Sequence, residues 1–195
     1  MRIGVLALQG DVVEHEEVLS SLGVDAEEVR TKEELSSVDG LIIPGGESTT
    51  LMKLLEKEGL DKAIVVRYKE GMPIFGTCAG AILLAKEVVG KGAGNNQSTL
   101  KLIDMTIKRN EYGRQVDSFE TEVELKGDVK PLKAIFIRAP VIERVGLEVE
   151  RLAELDGRVV VAKYRHCLVA TFHPELVGET RVHKLFLEMI KDNQQ

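Results

Sequence analysis

Residues 73–80 read Pro-Ile-Phe-Gly-Thr-Cys-Ala-Gly and run straight into Ala81-Ile82-Leu83-Leu84-Ala85. An apolar run that becomes a helix within so few residues needs small neighbours on both sides of the turn, because any larger side chain would strike the crossing backbone. The pattern predicts a strand from Pro73 to Phe75, a sharp elbow at Cys78 and a helix behind it. A strand feeding a helix in this way belongs to an α/β fold, and the chain before it keeps the same rhythm. Ile3 to Leu8 is a β-rich run, and Val12 to Leu22 carries Val12, His15, Leu19 and Leu22 at helical spacing. Ala26 to Arg30 and Leu41 to Ile43 read as further strands, and Thr50 to Glu58 and Leu60 to Glu70 read as helices parted by Gly59. Alternation of this kind predicts a mostly parallel sheet with helices on both faces.

The texture changes after the elbow helix. Gly90-Lys91-Gly92-Ala93-Gly94-Asn95-Asn96 has the composition of a flexible connection. Beyond it lie strand-like runs at Ile103 to Arg109, Phe119 to Leu125, Lys133 to Ile137, Val145 to Leu155 and Val159 to Tyr164, which predict an antiparallel extension. The last helix places Val182, Leu185, Phe186, Met189 and Ile190 on one face, a core-packing stripe. The expected architecture is a three-layer αβα fold formed as one domain over residues 1–195, a length that supports one well-buried core.

Charge and cysteine content narrow the function classes. A net charge of −6 with no Lys- or Arg-rich block argues against a nucleic-acid partner. The start, Met1-Arg2-Ile3-Gly4-Val5-Leu6-Ala7-Leu8, pairs a basic residue with an apolar stretch. That stretch is too short for a signal peptide and is followed by acidic residues, so it reads as a buried first strand. No run reaches the length of a membrane span. Two cysteines, Cys78 and Cys167, make no disulfide framework, and a reducing, cytoplasmic setting is expected. Cys167, inside an apolar strand, reads as a buried structural thiol. No Cys/His spacing suggests a metal site.

Cys78 is the candidate nucleophile. At the first turn of a helix, unpaired backbone N–H groups favour a thiolate and can stabilise a developing oxyanion. Its base must come from four histidines. His173 ends the apolar run Cys167-Leu168-Val169-Ala170-Thr171-Phe172 and is followed by Pro174, which holds it extended at the strand end. Glu175, two residues on, can reach back to one ring nitrogen and fix the tautomer. His15 and His183 read as helix-surface or core-edge residues. A third element, Pro44-Gly45-Gly46-Glu47-Ser48-Thr49, follows the strand ending at Ile43. Its glycines let backbone amides approach a ligand, and Ser48 or Thr49 can cap the helix behind. It lacks the lysine of a P-loop. All three elements fall at the C-terminal ends of predicted strands, where open α/β sheets place their ligand crevice. Arg109 and Arg138 offer forked donors suited to a carboxylate, and spacing alone does not choose between them.

With Pro-Gly-Gly-Glu-Ser-Thr, Gly-Thr-Cys-Ala-Gly and His-Pro-Glu in this order, the chain resembles the class I, triad-type glutamine amidotransferases. Val5-Leu6-Ala7-Leu8-Gln9-Gly10, residues 109–119 (Arg-Asn-Glu-Tyr-Gly-Arg-Gln-Val-Asp-Ser-Phe) and Phe136-Ile137-Arg138-Ala139-Pro140 narrow the similarity to the glutaminase subunits of two-component pyridoxal 5′-phosphate synthases. That resemblance implies a flavodoxin-like class I glutaminase fold and hydrolysis of L-glutamine to L-glutamate and ammonia. It also implies delivery of the ammonia to a synthase subunit within a large hetero-oligomer. By the same resemblance Cys78 attacks the carboxamide, His173 shuttles the proton and Glu175 orients His173. Gly46, Glu47, Ser48, Arg109, Ile137 and Arg138 bind glutamine, Gly45, Gly46 and Ala79 are candidates for the oxyanion hole, and Gln9 and Gly10 for the partner interface. No cofactor is implied, since pyridoxal 5′-phosphate is the product of the complex. The competing readings are the glutaminase subunit of another amidotransferase, a cysteine peptidase or small-molecule hydrolase on the same fold, and a subunit that has kept the fold without the chemistry.

Overall fold

The computed structural model describes residues 1–90, 97–109 and 118–193. Its centre is a seven-stranded sheet built from β1 (Ile3–Leu6), β2 (Ala26–Val29), β3 (Gly40–Ile43), β4 (Ile74–Thr77), β10 (Glu150–Leu155), β11 (Arg158–Tyr164) and β12 (Cys167–Ala170). The strand order is β10-β11-β12-β4-β3-β1-β2. From β2 across to β12 every pairing is parallel, and β11 and β10 then continue the sheet antiparallel. Of the parallel strands, β1, β3, β4 and β12 are buried along their whole length, which is why most read as continuous apolar runs, whereas the edge strand β2 buries only Val29.

The two faces are covered by different helices. Leu41, Ile43, Ile74, Cys167 and Val169 point toward α2 (Lys32–Ser37), α3 (Ser48–Glu58), α4 (Leu60–Lys69) and α5 (Ala79–Leu84). Val5, Ile42, Phe75, Leu168 and Ala170, the intervening positions, pack with α1 (Val12–Ser21) and α6 (Arg181–Asn193). Val182, Phe186, Met189 and Ile190 of α6 form the expected stripe, with Phe186 against Phe75 at 5.8 Å between ring centroids. Burying one such side chain fully stabilises the fold by ~1.5–3 kcal/mol. A three-stranded sheet, β5 (Ala85–Val89), β6 (Ile103–Lys108) and β9 (Val141–Val145), and a hairpin, β7 (Ser118–Val123) and β8 (Leu132–Ile137), make up the rest.

Several boundaries differ from the sequence reading. The elbow helix stops at Leu84, and Ala85 opens β5 rather than closing the helix. The run from Val145 to Leu155 is broken between β9 and β10, because the Gly146 amide turns back to Asp104 O at 2.7 Å and Val149 N–H to Gly146 O at 3.1 Å. β4 extends to Thr77, directly against Cys78, and β12 stops at Ala170, three residues short of His173. Most of the glycine- and asparagine-rich stretch, residues 91–96, and residues 110–117 of the family-like signature lie outside the described residues.

Candidate active site

β4 delivers Cys78 in a backbone conformation with φ 46° and ψ −101°, rarely adopted by a non-glycine residue. The turn closes only because its neighbours are small. A Cβ on Gly80 would sit 2.0 Å from Ile43 O, and one on Gly76 would meet the Gly80 backbone at 2.7 Å. The Cys78 N–H is used by Ala170 O at 2.9 Å, which anchors the elbow to β12.

From that anchored strand the chain runs on to His173, whose own N–H donates to Ile135 O of β8 at 2.8 Å. The 3-10 turn Pro174–Val177 then folds Glu175 back beneath the imidazole, placing Oε1 2.8 Å from Nδ1. His173 and Glu175 are both buried. Burial disfavours a charged ring, but hydrogen bonds to Asp11, Cys78 and Glu175 prevail and push His173 up to about 12. Burial also raises Glu175, opposed by its bond to His173. With Nδ1 facing carboxylates, Nε2 is the nitrogen left for the thiol.

The glycine loop forms the opposite wall. Gly45 packs directly on the histidine: a Cβ there would meet His173 Cε1 at 2.4 Å and Asp11 Oδ2 at 2.7 Å. Glu47, and not Ser48 or Thr49 as the sequence reading had it, caps α3, accepting from Thr49 N–H at 3.1 Å and Thr50 N–H at 2.7 Å. Burial opposes its charge, but the hydroxyls and amides of Thr50 and Thr49 hold the carboxyl at about 2. Arg109 is committed within the protein, donating to Glu47 Oε1 at 3.0 Å, Thr49 Oγ1 at 2.9 Å and Gln97 Oε1 at 2.6 Å. Gln97 also donates to Ser48 Oγ at 3.1 Å. Arg138 is exposed, has φ 43°, and makes no ion pair among the described residues.

These walls enclose a cleft of about 360 Å³ lined by Gln9, Gly46, Glu47, Ser48, Cys78, Ala79, Arg109, Ile137, Arg138 and His173, together with Asp11, Ile82 and Leu176. Every glutamine-binding candidate read from the sequence reaches it. Gly10 and Gly45 do not line it; both lie behind the wall, Gly10 against Gly45 and Gly45 against His173. A larger cavity of about 690 Å³ between α2, α3 and α4, lined by Leu35, Lys62, Val66 and Arg67 among others, contains neither cysteine nor histidine. Chemistry, not volume, selects the smaller one.

Three features were missed from sequence. Asp11 sits 3.3 Å from His173 Nδ1; its place at the end of the first strand's loop was the available signal. Gln97 had none, following a stretch that reads as a connection. His15 and His183, expected at helix surfaces or the core edge, are wholly buried. His15 Nδ1 lies 2.9 Å from His183 Nε2, and His15 Nε2 lies 3.1 Å from Thr77 Oγ1 and 3.7 Å from Glu175 Oε1. Burial lowers both rings, His183 to about 4, so the pair is neutral and hydrogen-bonded behind the site. Cys167 is buried, as expected, and burial raises its thiol. Asp11, His173 and Glu175 offer ligand atoms within 4.8 Å of one another, the one such cluster among the described residues.

Comparison with known proteins places this geometry. A sequence profile for the SNO glutamine amidotransferase family matches residues 5–192. A Thermosipho africanus protein named pyridoxal 5′-phosphate synthase subunit PdxT is 50% identical over 191 residues, covering 98% of this chain and 100% of that protein. A Herpetosiphon aurantiacus protein of the same name is 54% identical over 190 residues, covering 96% and 99%. A crystal structure described as a glutamine amidotransferase superposes with a TM-score of 0.91 at 46% identity, over 97% of this chain and 98% of that one.

Proposed function

The chain belongs to the SNO glutamine amidotransferase family, and from that premise we propose that it is the glutaminase subunit of a pyridoxal 5′-phosphate synthase, hydrolysing L-glutamine to L-glutamate and supplying ammonia to a synthase partner. The observation that carries this reading is one cleft in which a strained Cys78, a His173 backed by Glu175 and the Glu47–Arg109 loop face each other. Relatives carrying the PdxT name match along nearly the whole chain, which supports the same partner chemistry.

Glutamine enters with its α-carboxylate toward Arg138, the cleft arginine that makes no ion pair among the described residues, and its ammonium group toward Glu47, which stays ionised. Arg109 acts through Glu47 by holding it in place. The Cys78 thiol passes its proton to His173 Nε2 as the sulfur attacks the side-chain amide carbon, and the amides of Gly46 and Ala79, which line the cleft, receive the oxyanion. His173, held as imidazolium, gives its proton to the departing nitrogen, so ammonia leaves and a γ-glutamyl thioester remains. The neutral ring then takes a proton from water, which attacks the thioester and releases glutamate. Each step is proton transfer or acyl transfer, so the reaction needs no cofactor or metal.

Among the described residues no helix is long and apolar enough to cross a membrane. Two free thiols, Cys78 and Cys167, support a reducing, cytoplasmic setting, and the ammonia demand of the synthase supports a hetero-oligomeric complex. The test is glutamate release from glutamine by the wild type and by Cys78→Ala, with and without the synthase partner. Release that is lost in the variant supports the assignment; full release from Cys78→Ala overturns it.

A further inference from the structure

Asp11 breaks a local rule. It occupies the N-cap position of α1, where an aspartate ordinarily accepts a hydrogen bond from the second or third amide of its own helix. Its side chain makes no such bond. The carboxylate turns inward instead, with Oδ2 3.3 Å from His173 Nδ1, the nitrogen that Glu175 Oε1 approaches at 2.8 Å. The pocket for this diversion is built in: at Gly45, a Cβ would strike both the Asp11 carboxylate and the His173 ring. A residue that gives up its capping bond, with backbone space kept clear for it, serves something other than its helix.

We propose that Asp11 is a second carboxylate of the catalytic histidine, a positioning residue that shares the Nδ1 proton with Glu175 and holds His173 in the charged, proton-donating form. The two carboxylates divide the work by burial. Glu175 is wholly enclosed and fixes the ring's orientation, whereas the Asp11 side chain is 33% exposed and brings a second carboxylate to the same nitrogen. The groups facing the imidazole are Cys78 from the elbow, Glu175 from its own turn, Asp11 from the first loop and His15 from α1, with His183 of α6 behind His15. Of these, only Asp11 and Glu175 are carboxylates. Asp11 also belongs to the segment that braces the glycine loop, since Gln9 Oε1 accepts from Glu47 N–H at 3.3 Å. The assignment rests on His173 being the acid of the proposed reaction.

Asparagine and serine suit an N-cap position as well as aspartate does, so Asp11→Asn and Asp11→Ser remove the charge without penalising the start of α1. The full-length protein, labelled with ¹⁵N-histidine, is titrated by NMR with His173→Asn as the reference for peak assignment. Loss of one partly exposed carboxylate at this distance should let the His173 ring release its proton about one pH unit lower, a tenfold fall in proton affinity. In the complex with the synthase partner, kcat for glutamine should fall and its alkaline limb should move the same way, with KM little changed. Asp11→Glu, which retains the charge, should restore both in part. Ring titrations identical in wild type, Asp11→Asn and Asp11→Ser would overturn the proposal. Because NMR reads the ring without glutamine, failure to turn over glutamine is a separate result and sinks the proposed function instead.

Discussion

Acidification from about pH 7 to 4.5 should cost this protein about 2 kcal/mol of folding stability through His183 alone. Burial lowers His183 from 6.5 to about 4 in the folded chain. Between those values the unfolded chain holds a proton that the folded one lacks, so stability rises with pH there, by about 1.36 kcal/mol per unit for one full proton. His15 is lowered in the same direction, and its Nδ1 meets His183 Nε2 at 2.9 Å, so protonating the nitrogen that accepts this bond breaks it. His173 runs the other way: its folded value is raised, so its contribution is complete below pH 6.5 and is lost only as the pH climbs toward 12. It is therefore flat across the acid window. Glu175, raised by burial, gains stability as it takes up a proton and offsets part of the loss. Comparing wild type with His183→Gln removes that background, since the glutamine keeps a donor and an acceptor and does not titrate. Urea unfolding at half-unit steps should give a shallower pH slope for the variant, and the gap between the two curves should close by about 2 kcal/mol as pH falls to 4.5. Parallel slopes would show that the buried pair is not neutral, and the account of the wall behind the site would fail.

Three further outcomes follow from the cleft. Gly45→Ala places a Cβ 2.4 Å from His173 Cε1 without backbone strain, so the ring must shift by about 1 Å; kcat should fall on the order of 100-fold while the fold persists, measured by glutaminase turnover beside a melting curve. Arg138→Ala should raise KM for glutamine about 10- to 100-fold with kcat nearly intact, the loss of one charge-assisted contact. Arg109→Ala, which frees Glu47, Thr49 and Gln97 together, should lower kcat and thermal stability as well; the reverse pattern would exchange the two arginines' roles.

The reacting strand ends were legible because each is marked locally. Gly76, Cys78 and Gly80 encode a turn in five residues, Pro174 stops a strand beside His173, and Gly45-Gly46 follow an apolar run. Parallel strands buried on both faces also announce themselves, since Leu41 to Ile43 and Ile74 to Phe75 must be apolar throughout. The order of strands in the sheet was not legible. It depends on which runs meet across the chain, as when β12, near the C-terminus, inserts between β4 and β11.

The same distinction explains the histidines. A histidine at a core position of an amphipathic helix looks like a tolerated edge residue until its partner is known, and the partner of His15 lies 168 positions away. Neither ring could be buried alone, because each would leave two polar nitrogens without compensation. Together with Thr77 they pair both nitrogens of His15 and Nε2 of His183, leaving His183 Nδ1 unpartnered among the described residues, and they do so directly beneath Glu175. Asp11 shows the complement. Its local signal, an acidic residue at a helix start, points to capping, and only the three-dimensional placement of Gly45 and His173 reveals why the cap is left unmade. Short-range rules therefore locate the nucleophile and its base, while the groups that set the base's charge come from contacts that no window of sequence contains.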